Sequence, residues 1–311
     1  MKKGRKGNFS SLRRIQEREY MTDILFTIIV AAALVLFWVM LYDTNRFVVR
    51  NHVVTDPRIR RGCRAVLLTD LHNKCYGKGN ERLLAAIRGQ KPDFILIAGD
   101  LLTANAKTPL DPVLQLLEKL AEMCPVYYAN GNHEQRLREH TEYYGDMAEQ
   151  YRAALKRIGI EPMVNSHVNL PELGLAVYGA ELDMEYYKRF HIGHMPTDYL
   201  PRILGQASKD MYTVLLAHNP DYFPQYAAWG ADLTLSGHVH GGVARVPFWG
   251  KGVLAPSWHV FPKYDGGVFK EGDAFMVLSR GLGSHTIPVR VFNPGELWVV
   301  DFRPGETDVL S

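Results

Sequence analysis

The stretch AVLLTDLH, Ala65–His72, runs through four apolar residues and then places a carboxylate and an imidazole one residue apart. The same order returns as FILIAGD (Phe94–Asp100), VYYANGNH (Val126–His133), TVLLAHNP (Thr213–Pro220) and LTLSGHVH (Leu233–His240). Near-continuous apolar runs of this length, each followed at once by small and polar residues, predict strands buried on both faces. Helical patterns at Asn80–Arg88, Pro112–Met123, Tyr143–Ile158 and Pro220–Trp229 lie between or after them, so the fold class is α/β. Later runs, Leu175–Gly179, Ala274–Ser279, Val289–Phe292 and Leu297–Phe302, come with Gly and Pro turns and little helix, which predicts a second, more antiparallel sheet.

In open α/β sheets, ligands gather beyond the carboxyl ends of the strands. The five clusters bring Asp70, His72, Asp100, Asn132, His133, His218, His238 and His240 to that edge, including five of the chain's twelve histidines. Nitrogen and oxygen donors without thiolate suit Mn, Fe, Zn or Co. In extended backbone, residues i and i+2 point the same way, so Asp70 with His72, and His238 with His240, are each expected to face one ion. Gly237, Gly241 and Gly242 permit the tight turn that such a site needs. Any one of these histidines alone is more often a packed, hydrogen-bonded side chain than a ligand. Five clusters, each ending an apolar run, have no such simple packing explanation.

Ile24–Tyr42 is a run of 19 residues without a charge. As a helix rising about 1.5 Å per residue it spans roughly 28 Å, close to the hydrocarbon thickness of a bilayer. A transmembrane helix is expected there; a cleaved signal peptide is the rival, weakened because VMLYDTNRF (Val39–Phe47) offers no small-x-small cleavage site. Lys2, Lys3, Arg5, Lys6, Arg13, Arg14 and Arg18 precede the run, and only Arg46 and Arg50 closely follow it. The positive-inside bias places the N-terminus in the cytoplasm and the remainder outside it, as a single-pass protein of the cell membrane. Residues 1–23 carry net +4, which leaves −1 of the chain's +3 for the rest and removes the electrostatic argument for a nucleic-acid partner. The twin arginine of LRRIQ (Leu12–Gln16) fits an export signal poorly. Cys63, Cys75 and Cys124 have neither metal spacing nor a disulfide framework. The expected organisation is a basic tail (1–23), a membrane helix (24–42), a short linker (43–63) and a catalytic domain (64–311).

The series D-x-H (Asp70–His72), G-D (Gly99–Asp100), G-N-H-E (Gly131–Glu134), a separate His218 and G-H-x-H (Gly237–His240) resembles the calcineurin-like metallophosphoesterase superfamily. The resemblance covers about Arg64–Phe302. The ending VLSRGLGSHTIPVRVFNPGELWVVDF (Val277–Phe302) and the apolar helix resemble its bacterial membrane-associated branch of YaeI- and YkuE-like phosphoesterases, where some relatives act on lipid-linked phosphodiesters or on a UDP-diacylglucosamine pyrophosphate. The resemblance implies a sandwich of two mixed sheets flanked by helices. It implies that Asp70, His72 and His240 hold one divalent metal ion, that Asn132, His218 and His238 hold a second, and that Asp100 bridges them. Such a pair holds a bridging hydroxide for attack on a phosphate ester. His133 is then no ligand but the proton donor to the leaving group. Asp100 is followed by LLTANA instead of the GDxxDRG form of the protein serine/threonine phosphatases, which argues against a phosphoprotein substrate.

Around the motifs, Glu134 is expected to cap the following helix or to orient His133, capping being favoured. Phe248, Trp249, Trp258, Phe261 and Tyr264 form either a loop packing its own aromatics or an apolar lip for an acyl chain or bilayer. Tyr143–Arg157 and Asp183–Pro196 are candidate lids, with His191 and His194 as surface histidines. Three functions follow: a phosphodiesterase or pyrophosphatase acting on a lipid-linked substrate, a phosphomonoesterase or nucleotide phosphodiesterase of soluble substrates, and a non-enzymatic membrane-anchored binding protein. The intact donor set disfavours the last.

Overall fold

The computed structural model describes residues 6–188, 193–253, 260–284 and 289–306, with side chains from residue 14 onward apart from residue 15. Lys2, Lys3, Arg5, His191 and Trp258 lie outside the described residues. The first sheet joins β1 (Phe47–Asp56), β2 (Cys63–Leu68), β3 (Phe94–Ala98), β4 (Val126–Ala129) and β11 (Gly295–Pro304) in the order β1-β11-β2-β3-β4. The second joins β5 (Ser166–Leu170), β6 (Leu175–Ala180), β7 (Tyr212–Ala217), β8 (Leu233–Ser236), β9 (Gly267–Glu271) and β10 (Ala274–Leu278) in the order β5-β6-β7-β8-β10-β9. Both are mixed: β11 runs antiparallel to β2 in the first, while β5 and β9 close the second as antiparallel edges.

The apolar runs are continuous because each sheet is covered twice. Ala65 and Leu67 of β2 face the layer between the sheets with Val214, Leu216 and Leu235, while Val66 and Leu68 face outward. That outer face packs on helices α2 (Glu81–Gln90), α3 (Asp111–Ala121) and α6 (Met147–Arg157), which follow a long N-terminal helix α1 (Lys6–Thr44). The outer face of the second sheet packs on α7 (Tyr199–Leu204) and α8 (Phe223–Trp229). The α/β sandwich of two mixed sheets between helices is therefore present.

Its details differ from expectation in ways that have physical causes. The five motif strands do not share one sheet, since β2, β3 and β4 lie in the first and β7 and β8 in the second. The strands expected in a more antiparallel sheet divide too, β6 and β10 running parallel to β7 and β8. Val289–Phe292 forms no strand: Val291 makes a single bridge to Ala244, because the buried Arg290 side chain binds carbonyls and holds this segment on an irregular path. The expected linker 43–63 contains β1, paired with β11 from Phe47–Gly295 to Asp56–Pro304. As a largely exposed edge strand, β1 has no need of an unbroken apolar run. Tyr143–Ile158 divides at Gly145 into α5 (Thr141–Tyr144) and α6, with a short α4 (Asn132–Glu139) before them. The lid expected at Tyr143–Arg157 is partly core, for Tyr151 and Leu155 are buried in the outer layer. Tyr264 is buried against Phe223 and Phe269, whereas Phe248, Trp249 and Phe261 are exposed.

Within α1, the stretch Gln16–Thr44 is long and apolar enough to cross a membrane, the single such helix among the described residues. Leu25, Phe26, Phe37 and Trp38 on it are exposed.

Candidate metal centre

Beyond Leu68 the chain leaves β2 in a left-handed turn, with φ of 48° at both Asp70 and His72. Asp100 after β3 has φ 55°, and His238 and His240 after β8 have 72° and 52°. Non-glycine residues there cost roughly 1–3 kcal/mol each, Asp, Asn and His least, so this backbone must be held by its surroundings. It is: Asp70 donates its amide to Gly99 O (3.0 Å), His72 to Asp100 O (3.2 Å), Gly237 to His218 O (3.1 Å) and His238 to the Asp70 carboxylate (3.0 and 3.1 Å). The extended geometry expected for the two i, i+2 pairs is thus replaced by turns. Asp70 and His72 still converge, but His238 and His240 diverge.

Three groups of donors result, each with its atoms within 4.8 Å of one another: Asp70, His72 and His240; His72, Asp100 and His133; Asp100, His218 and His238. Asp100 Oδ2 lies 3.0 Å from His218 Nε2, 3.8 Å from His72 Nε2 and 4.0 Å from His133 Nε2. Asp70 Oδ1 lies 3.6 Å from His240 Nε2 and 3.8 Å from His218 Nε2, and the Nε2 atoms of His72 and His240 are 3.2 Å apart. Close approach at two glycines makes this density possible. A Cβ on Gly131 would fall on Asp100 Oδ1, and one on Gly237 on Asp70 Oδ2.

The donor set fits divalent cations. Asp70 and Asp100 are buried carboxylates, a condition that requires charge pairing or metal coordination. His218 gives its Nδ1–H to Ala98 O (2.7 Å), which in the neutral ring leaves the Nε2 lone pair facing Asp100. His240 Nδ1 donates to Gly283 O (3.3 Å) in the same way. Asn132 Oδ1, at the start of α4, is a buried acceptor with no hydrogen-bond partner among the described residues. These are oxygen and imidazole donors of the kind that Mn, Fe, Zn and Co accept.

Charge coupling inside the cluster is strong. Burial pushes the Asp70 carboxyl up, opposed by His218 and reinforced by Asp100. Burial also acts on Asp100, but His218, His133 and His72 outweigh it and hold its carboxyl well below the ordinary range. Burial opposes a charge on His218, and Asp100 then Asp70 override that and raise it. Carboxylates and imidazoles here carry one another's charge, the balance that bound cations take over.

Glu134 does more than cap a helix. It is buried, and its carboxylate accepts the amides of Gly131 (2.9 Å), Asp100 (2.9 Å), Leu101 (2.9 Å) and Leu102 (3.3 Å), and the Tyr128 hydroxyl (2.9 Å). One side chain therefore fixes both the Asp100 turn and the start of α4. It does not bond to His133, whose Nδ1 instead accepts the Ala104 amide (2.8 Å). Sequence reasoning did not single out Tyr187, whose ring packs edge-on against His238 with centroids 5.3 Å apart, nor Asn293, which donates to His240 O at 2.8 Å. Nothing in EYYKRF or FNPG distinguishes these residues from loop filler.

Residues 63–242 match the family of calcineurin-like phosphoesterases. The metallophosphoesterase YkuE of Bacillus subtilis is 24% identical over 84% of this chain and 85% of its own length. A Campylobacter jejuni metallophosphoesterase is 27% identical over 82% of this chain and 63% of its own, so the chain spans less than two thirds of that relative. The Escherichia coli phosphodiesterase YaeI is 28% identical over 63% of this chain and 65% of its own. A Thermus thermophilus protein of solved structure overlays with a TM-score of 0.44 at 12% identity, covering 72% of this chain and 92% of that one.

Proposed function

The chain belongs to the calcineurin-like phosphoesterase family, metal-dependent phosphoric ester hydrolases that use two divalent ions, and from that premise we propose that it is membrane-anchored and cleaves a phosphodiester or pyrophosphate bond of a lipid-linked substrate. The observation that carries the hydrolytic reading is the convergence of Asp70, His72, Asp100, His218, His238 and His240, with His133 Nε2 4.0 Å from Asp100 Oδ2. In this reading Asp70, His72 and His240 would hold the first ion, Asn132, His218 and His238 would hold the second, and Asp100 would serve both. Two bound cations supply a water of lowered pKa and a clamp for phosphoryl oxygens. His133 serves the leaving oxygen: because its Nδ1 accepts the Ala104 amide, the neutral ring presents Nε2–H to the donor cluster and hydrogen-bonds the leaving oxygen as negative charge develops on it, the proton that oxygen finally takes coming from water. Glu134 keeps Asp100 and Asn132 in register, its position secured by five donors.

Two features support a lipid-linked substrate. The apolar stretch ends at Thr44 and β1 begins at Phe47, so the domain has almost no slack from a bilayer. Phe248, Trp249, Val260 and Phe261 expose aromatic and aliphatic surface on the loops that follow His240. The test is hydrolysis by the full chain in detergent, stripped of metal and resupplied with Mn²⁺. Turnover of bis-p-nitrophenyl phosphate that requires the metal is expected, with a lipid-linked diester or pyrophosphate preferred over soluble nucleotides. Preference for nucleotides would reduce the helix to a tether; metal-bound protein without turnover of either class would defeat the hydrolytic reading.

A further inference from the structure

The last turn of α1 does not end in solvent. Asp43 is 2% exposed, although Phe37, Trp38, Leu41 and Tyr42 before it on the same helix are exposed. Its carboxylate accepts the Asn293 amide on Oδ2 (3.1 Å) and pairs with Arg46 through Oδ1 (2.8 Å). Thr44 Oγ1 accepts the Arg290 amide (3.1 Å), and Arg46 O accepts the Gly295 amide (3.2 Å). Three contacts, from Asp43, Thr44 and Arg46, thus clamp the segment 290–295 onto the end of the helix and the residues just past it.

That segment holds one side of the donor cluster. Asn293, fully buried, donates Nδ2–H to His240 O (2.8 Å) and to Gly242 O, bracing the left-handed turn that aims His240. The buried Arg290 guanidinium donates to Arg280 O (2.8 Å), Gly281 O (3.2 Å), Asn293 O (3.2 Å) and Gly283 O. Gly283 O also accepts His240 Nδ1–H, and the Gly283 amide donates to Asp70 O (2.6 Å). Among the described residues no such connection reaches His218, whose Nδ1–H binds Ala98 O and whose carbonyl accepts the Gly237 amide. A simple tether needs only a covalent link, and a carboxylate at its end would remain hydrated.

We propose that Asp43 and Asn293 are positioning residues for the first ion, so that α1 is a structural part of the Asp70–His72–His240 half of the centre and not merely its anchor. This rests on the two-ion reading above. Outer residues that orient a ligand typically change metal affinity about 10- to 100-fold when removed. The Asp43–Asn293–His240 connection ends on a ligand of the first ion, whereas His238, two residues earlier on the same turn, has its amide on the Asp70 carboxylate and its ring against Tyr187, so the first ion is expected to feel the change more.

The test uses the full chain in detergent, measuring Mn²⁺ bound per chain by mass spectrometry across a chelator-buffered titration, together with thermal unfolding of the metal-free protein. Asp43→Ala is expected to bind one ion as the unaltered chain does and the other about 10- to 100-fold more weakly, the same ion that His240→Ala loses. Asp43→Asn keeps an acceptor for the Asn293 amide and is expected to restore most of that affinity. Asn293→Ala is expected to repeat the Asp43→Ala defect. Asp301→Ala, which breaks the pair with Arg64 (2.6 Å) near the start of β2, is the control for general destabilisation and should leave both ions unchanged. Equal weakening of both ions, or full two-ion binding in Asp43→Ala and Asn293→Ala, overturns the proposal. Absence of metal binding by the unaltered chain instead removes the two-ion reading itself, before any variant is compared.

Discussion

His218 follows a fully buried strand and leans its Nδ1 on Ala98 O at 2.7 Å, whereas His240 lies two residues into a left-handed turn and leans on Gly283 O at 3.3 Å. The first support is the end of a neighbouring strand. The second is a loop that is itself held by Arg290, Asn293 and, through them, the end of α1. The half of the centre around His218 is therefore built into the packing of the two sheets, and the half around His240 depends on a chain of hydrogen bonds from outside them. Packed interiors resist displacement more than loop networks do, so one half is expected to tolerate remote change and the other to transmit it.

Asp100 groups with His72 on one side and with His218 and His238 on the other; under the proposed assignment it serves both ions, and its substitution should erase the difference between the halves. Asp100→Asn removes the charge that His218, His72 and His133 face. With several kcal/mol of transition-state stabilisation at stake and about 1.4 kcal/mol per tenfold, a fall of about 10⁴-fold or more in Mn²⁺-dependent turnover is expected. A residual rate within tenfold would show that Asp100 is not shared. His133→Gln comes next, because a positioned proton donor contributes about 10²- to 10⁴-fold. The loss should be large for an alkoxide leaving group and small for p-nitrophenolate, which departs without a proton. Both ions should remain bound, which separates His133 from every residue of the two halves; loss of an ion would make it a ligand.

The same contrast governs what the sequence discloses. Runs such as FILIA are legible because a strand buried on both faces has no polar face to interrupt it. The strands with no legible run, β1, β5 and β9, all lie at sheet edges, where SHVNL and GVFKE leave side chains in water. The eight site residues stand out since each follows an apolar run, and the structure gathers the runs' ends from two sheets rather than one. Left-handed backbone at Asp70 and His238 was not legible, because Asp and His adopt it only when neighbours such as Gly99 O and the Asp70 carboxylate hold it. Asn293 and Arg290 escaped notice for a related reason: they act on backbone carbonyls, which carry no residue identity.

Glu134→Gln is expected to weaken the His218 half more than the His240 half. The amide replaces an acceptor-only group with one whose NH₂ must face N–H or O–H donors now satisfied by the carboxylate. A buried donor left unmet costs about 1–3 kcal/mol, and outer-residue changes lower metal affinity about 10- to 100-fold. Calorimetric titration should show the second ion weakened through Asn132 at the start of α4, with the first ion less affected. Equal loss in both sites would mean that the Asp100 turn, not α4, transmits the change.

The smallest effect belongs to Tyr187, and it tests the comparison most finely. Its ring packs edge-on against His238 with centroids 5.3 Å apart and lies tilted 6.2 Å from His218, so among the described donor residues its ring contacts fall on the His218 half. An edge-to-face pair contributes about 0.5–1.5 kcal/mol beyond the area it buries. Tyr187→Leu, which keeps apolar bulk, should therefore weaken the second ion by less than about tenfold and leave the first untouched, while Tyr187→Phe should leave both unchanged. The readout is the pair of Mn²⁺ affinities, compared with those of Asp43→Ala. Two variants that each loosen a different ion would establish that the halves are supported separately. If Tyr187→Leu weakened the first ion as well, the strand-held half would be transmitting strain across Asp100, and the division between packed and loop-held support would have to be redrawn at that carboxylate.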